Sequence, residues 1–118
     1  VYLKLIEKVD ADFFVVHARY RSESYERKAD WSVFPECVNT GKAIVANGDI
    51  RTKRDVEKMK EFGCIGVMIG RAAMNNPLIF GQLKDMQLPP LETLRREYLE
   101  LCENHESNYS ENVLKLLD

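Results

Sequence analysis

The chain has 118 residues, 45% of them apolar, and a formal net charge of −2. That suffices for one packed domain, and it argues against capture of nucleic acid by bulk positive charge. No run approaches the ~18 consecutive apolar residues of a membrane-spanning helix, so no membrane partner is expected.

The chain begins Val1-Tyr2-Leu3-Lys4, without an initiator Met, a basic leader or a small-residue cleavage site. It therefore reads as a segment of a longer protein. Tyr2, Leu5, Ile6 and Val9 fall on one helical face. The run Phe13–Val16 follows and reads as a strand. Trp31, Phe34, Cys37 and Val38 mark a second helix, and Ala43–Ala46 a second strand. Thr52 with Asp55 forms a capping-box pattern that opens a third helix through Val56, Met59 and Phe62. Gly63 is placed to end it in a left-handed conformation. Ile65–Ile69 is the third strand. All three runs are continuous rather than alternating, which suits strands buried on both faces.

Strands that alternate with helices imply right-handed crossovers and a parallel sheet. Asn47-Gly48 is thus a strand-to-helix loop rather than a hairpin, because helical periodicity follows it. Gly70-Arg71-Ala72-Ala73-Met74 reads as a short helix. Asn76-Pro77 opens another through Leu83, with Pro77 at its first position. Pro89-Pro90 breaks the chain. Beyond it, Leu91, Leu94, Tyr98, Leu101 and Cys102 mark a longer amphipathic helix, and Val113 to Leu117 start one more. The expected division is 1–88 as α/β and 89–118 as the start of a helical domain. Three strands are too few for a closed (β/α)8 barrel, so the economical reading is the C-terminal portion of one, with earlier strands preceding Val1.

Cys37, Cys64 and Cys102 are widely spaced and odd in number, a poor disulfide framework. They read as reduced thiols of a cytoplasmic protein. Basic residues gather at Arg19, Arg21, Arg27 and Lys28 and again at Arg51, Lys53 and Arg54, while the tail from Glu92 is acidic.

Parallel α/β folds bind ligands at the carboxyl ends of their strands. Those ends carry His17-Ala18-Arg19, Asn47-Gly48-Asp49 and Gly70-Arg71. The third suits a phosphate, since glycine permits close approach and arginine adds fixed positive charge.

The segments His17-Ala18-Arg19-Tyr20-Arg21-Ser22-Glu23-Ser24-Tyr25, Lys28-Ala29-Asp30-Trp31, Ala46-Asn47-Gly48-Asp49-Ile50-Arg51 and Gly66-Val67-Met68-Ile69-Gly70-Arg71-Ala72-Ala73, followed by Asn76-Pro77, resemble the tRNA-dihydrouridine synthases. An archaeal-type relative of that family is one form of the resemblance, which runs from about Phe14 to Phe80. It implies an FMN-binding TIM barrel that reduces uridine in tRNA, with NADPH recharging the flavin. It further implies cofactor contacts from His17, Asn47, Gly48, Asp49, Gly70 and Arg71, and a substrate-facing Arg19. The family's catalytic cysteine belongs to an N-terminal half that this chain lacks, so the segment alone is expected to be inert. Tyr20 departs from the Thr common in the family. Two alternatives accompany this reading. One is a dihydroorotate dehydrogenase-like flavin barrel acting on a free pyrimidine. The other is a non-catalytic segment that self-associates through open sheet edges.

Overall fold

The structure is a computed structural model, and it describes residues 2–22, 24 and 26–105. The chain divides into two compact units, Val1–Ile69 and Gly70–Asp118.

The first unit alternates helix and strand. Its elements are α1 (Tyr2–Lys8), β1 (Phe14–His17), α2 (Val33–Val38), β2 (Ile44–Asn47), α3 (Lys53–Glu61) and β3 (Gly66–Met68). The strands form one parallel sheet in the order β1-β2-β3. Phe14 stands opposite Ile44 and His17 opposite Asn47, while Asn47 stands opposite Met68. Each strand lies within one residue or two of the apolar run that announced it, and the sheet is parallel as the alternation requires.

One face of the sheet is covered. Ile44 and Ala46 are fully buried there, against Phe34 and Met59 on one side and Ile6 and Cys37 on the other. Burying a side chain the size of Phe34 contributes about 1.5–3 kcal/mol. The opposite face carries Val15, His17, Val45, Asn47 and Met68, and it is the less covered of the two within the first unit. Val15 and Met68 are 41% and 46% exposed. Among the described residues of the first unit the strands are therefore not buried on both faces, contrary to the expectation from their continuous apolar runs. The α1 stripe also differs from its reading. Ile6 and Leu3 pack into the core, and Tyr2, Leu5 and Val9, together with Ile6, line an open apolar groove of about 340 Å³ with Val15 and Val33.

The ends of α3 follow the sequence closely. Thr52 accepts a hydrogen bond from the Asp55 backbone N–H, and Asp55 accepts from the Thr52 N–H in return. At the other end Gly63 has φ of +91°. Its N–H bonds to the Lys60 carbonyl and that of Cys64 to the Met59 carbonyl, the pairing of a Schellman motif. Pro35 sits in the first turn of α2, where its missing N–H removes no helical bond.

The second unit contains α4 (Arg71–Asn75), α5 (Ile79–Leu83) and α6 (Leu91–Asn104). Pro77 precedes α5 rather than starting it. The Asn76 side chain accepts from the Leu78 N–H, so Asn76-Pro77-Leu78 forms a turn that delays the helix to Ile79. His105 caps α6. The helix expected from Val113 lies outside the described residues.

Cys37 and Cys64 share one apolar cluster beneath the sheet. Burial pushes both thiols above the ordinary cysteine range. Neither is suited to act as a thiolate nucleophile at neutral pH.

Two outcomes are expected. Gly63→Ala should destabilise the chain by about 1–2 kcal/mol from the left-handed backbone alone. An added Cβ would also lie 2.9 Å from Val38 Cγ1. Gly41→Ala shares the positive φ but meets nothing within 4 Å, so urea unfolding should show the smaller loss there. The cysteines give a pH dependence. A thiol whose folded pKa is raised stabilises below the ordinary thiol pKa, and that contribution is lost as pH rises through the raised value. Alkylation of Cys37 and Cys64 by iodoacetamide should thus be slow at pH 7, and stability should fall in the alkaline range. Rapid labelling of both at pH 7 in the folded chain would refute their burial.

Candidate functional site

The parallel register sets the site. His17 and Asn47 are the last residues of β1 and β2 and stand side by side on the open face. An imidazole and a carboxamide together offer both donors and acceptors. Their neighbour across β2 is Met68, which ends β3.

Immediately beyond them the chain makes two tight turns. Gly48 has φ of +126° and Asp49 has φ of +55°. A Cβ on Gly48 would sit 3.1 Å from the Ala29 Cβ and 3.4 Å from the Ala18 nitrogen. Glycine is needed there for both conformation and space. The left-handed Asp49 is less common, and such a residue costs about 1–2 kcal/mol unless its surroundings hold it.

Those surroundings are explicit. Asp49 Oδ2 accepts from Arg19 Nη2 at 2.6 Å and from the Ala29 backbone N–H at 2.9 Å. Arg51 Nη2 lies 3.9 Å from the other oxygen. The Arg19 side chain is 4% exposed and that of Asp49 18%. Arg19 also donates from Nε and Nη2 to the Arg27 carbonyl, at 3.2 and 2.5 Å. Trp31 Nε1 donates to the Gly48 carbonyl at 2.8 Å. The Ala18 N–H bonds to the Asn47 carbonyl and the Asp30 N–H to the Ala18 carbonyl, at 2.9 and 2.8 Å. The loop from Ala18 to Asp30 is thereby closed at its neck and stitched to the loop after β2. Asp30 then accepts from the Ser32 N–H and hydroxyl, which hold its carboxyl below the usual range and set the entry to α2.

The sequence reading singled out His17, Asn47, Gly48, Asp49 and Arg19, and the structure brings these five together at one end of the sheet. It gives Arg19 and Asp49 a particular posture: the two side chains face each other. Trp31 and Ala29 were not among the candidates. Their parts are an indole donor and a backbone N–H, and only the spacing of the loop in three dimensions reveals them. Gly70 and Arg71 open the second unit. Gly70 precedes α4, and its carbonyl accepts from the N–H groups of Ala73 and Met74. With five residues, α4 is little more than one turn, so any phosphate contact there depends on Gly70 and the Arg71 side chain. Among the described residues no cluster of His, Cys, Asp and Glu could hold a metal ion, and no helix is long and apolar enough to cross a membrane.

Comparison with known proteins gives the family. The profile of the dihydrouridine synthase (Dus) family matches residues 2–115. A probable tRNA-dihydrouridine synthase of Aquifex aeolicus is 35% identical over 82 residues, which is 68% of this chain and 26% of that protein. A tRNA-dihydrouridine(47) synthase of Coprinopsis cinerea, whose name specifies NAD(P)(+), is 32% identical over 123 residues, 86% of this chain and 18% of that protein. A tRNA-dihydrouridine(16) synthase of Neisseria meningitidis is 30% identical over 112 residues, 86% of this chain and 34% of that protein. The chain thus spans about a third or less of the curated relatives it matches. Its three parallel strands with crossover helices are consistent with part of a (β/α)8 barrel. By the match over nearly its whole length, the chain belongs to the dihydrouridine synthase family.

Proposed function

We propose that this chain supplies cofactor-binding strand ends to an FMN-dependent oxidoreductase, and that the whole protein reduces uridine in tRNA to dihydrouridine with NAD(P)H. One observation carries the reading beyond family membership. His17 and Asn47 stand in register at the carboxyl ends of parallel strands, on the less covered face of the sheet within the first unit. Ligands of parallel α/β folds bind at such ends.

The residues present fit a flavin by their chemistry. Asn47 and His17 offer neutral donors and acceptors to a polar, planar group. The turn at Gly48 and Asp49 would offer its backbone to the ribityl part of the cofactor. Gly70 and Arg71 are proposed for the phosphate, Arg71 as a charge-assisted donor. When bound, FMN supplies the hydride that reduces the pyrimidine. The protein's share is to hold that ring, orient the uridine over it and exclude water.

The proton donor to the pyrimidine is assigned to a cysteine outside these residues. Cys37 and Cys64 lie in the apolar layer beneath the sheet with raised pKa values, and Cys102 is buried in α6. The segment by itself is proposed to be inactive, and the helical domain to begin after Pro89. NADPH is the proposed reductant, tRNA the proposed partner and the cytoplasm the proposed compartment. A bare sheet edge also favours self-association when the segment is made alone.

The test is direct. The full protein should bind FMN, and its deletion should remove dihydrouridine from one position in cellular tRNA. An unchanged tRNA in a deletion strain whose protein still holds flavin would move the substrate to a free pyrimidine. Arg71→Ala should weaken FMN binding by about 1.5–3 kcal/mol, the range for a lost hydrogen bond to a charged group. Asn47→Ala should weaken it by about 0.5–1.5 kcal/mol. Wild-type flavin retention in both variants would sink the assigned site.

A further inference from the structure

The loop from Ala18 to Asp30 carries much of the basic charge of the first unit, yet one of its arginines points inward. The Arg19 guanidinium bonds through Nη2 to Asp49 and through Nε and Nη2 to the Arg27 carbonyl. Asp49, for its part, gives one carboxylate oxygen to both Arg19 and the Ala29 N–H. That oxygen, holding two donors at once, is poorly placed to accept a further bond from a ligand. An arginine at 4% exposure is poorly placed to meet an RNA substrate.

The same few residues determine the backbone beside the strand ends. Asn47 gives its carbonyl to Ala18, Gly48 gives its carbonyl to Trp31, and Asp49 takes a left-handed conformation. A left-handed non-glycine residue persists when its surroundings over-determine it. Here the surroundings are the partners of the Asp49 carboxylate.

We propose that Arg19 and Asp49 are positioning residues: their ion pair clamps the loop after β1 onto the loop after β2, and so fixes the Asn47-Gly48 backbone in the shape that meets the cofactor. The clamp itself stands on the geometry above. What the shape is for rests on the flavin reading of the previous subsection. Trp31 is a built-in reporter, because its indole bonds to Gly48 within the clamped segment, and its share of the emission is read as the difference from Trp31→Phe.

The experiment uses the full protein with three variants, Arg19→Met, Asp49→Asn and the double, and Trp31→Phe to assign the indole signal. Arg19→Lys is added as a milder change that keeps the charge but cannot serve both acceptors with the same fork. Circular dichroism checks that each variant folds. Two quantities are read: tryptophan emission without flavin, and the dissociation constant for added FMN. Each single variant should red-shift Trp31 emission and weaken FMN binding about tenfold, as expected when one partner of a pair is removed. The double should be no worse than either single, because the two residues act as one unit. Arg19→Lys should fall between wild type and Arg19→Met in both readouts.

The proposal is overturned if Arg19→Met leaves emission and FMN affinity at wild-type values, or if the two single effects multiply in the double. Multiplication would mean separate ligand contacts. If Arg19→Met fails to fold, Arg19→Lys decides alone, and a wild-type emission and affinity there overturn the clamp. If the wild-type protein binds no FMN, the flavin reading fails, and the emission comparison still decides whether the clamp exists.

Discussion

Oδ2 of Asp49 accepts at once from the Arg19 guanidinium and the Ala29 N–H, and through that atom two loops that follow neighbouring strands become one surface. The arrangement depends on the strands being parallel and in register, since only then do β1 and β2 deliver their loops to the same end of the sheet. Ordering a backbone costs about 1–2 kcal/mol per residue, and the described residues between Arg19 and Ala29 are exposed and have little apolar burial to offset it. Direct bonds to Asn47, Gly48 and Asp49 do so instead. Pairs of this kind are asymmetric in their energetics. Forming one adds little net stability, whereas losing one partner costs about 3–5 kcal/mol when the other stays buried.

The sheet separates two tasks. Its covered face is a packed layer built from Phe34, Ile44, Ala46, Met59 and Cys37, all at or near zero exposure. Its open face ends in His17 and Asn47. The cysteines belong to the first task, since burial favours their neutral thiols. The strand ends belong to the second, because polar side chains there sit where a ligand can reach them. The chain belongs to the dihydrouridine synthase family, and a flavin is the group we propose the open face to receive.

Much of this was readable from residue order. The capping box at Thr52 and Asp55, the stop at Gly63, the three strands and their parallel sense all rest on local rules, and each appears as read. Asn47-Gly48 was separable from a hairpin because helical periodicity followed it. Other features were not legible because they are not local. The partner of Arg19 lies 30 residues away and gives no pattern. The indole of Trp31 signals packing, while its bond to the Gly48 carbonyl depends on how the loop folds back. The α1 stripe was apolar on Tyr2, Leu5, Ile6 and Val9, but periodicity does not say which residue of a stripe finds a partner. Continuous apolar strands announced burial on two faces, and among the described residues of the first unit only one face is packed. Pro77 matched the preference for a first helical position, and the Asn76 side chain, by bonding to Leu78, moved the start of α5 two residues on.

Amide hydrogen exchange of Ala29 in the folded protein tests the central claim most directly. Ala29 lies outside every helix and strand, and its N–H is satisfied by Asp49 alone among the bonds described. The account predicts protection at Ala29 approaching that of Ala18, whose N–H bonds to the end of β2. Exchange at Ala29 as fast as at an exposed loop residue such as Ser22 would contradict it, and would leave the strand ends without the clamp that shapes them.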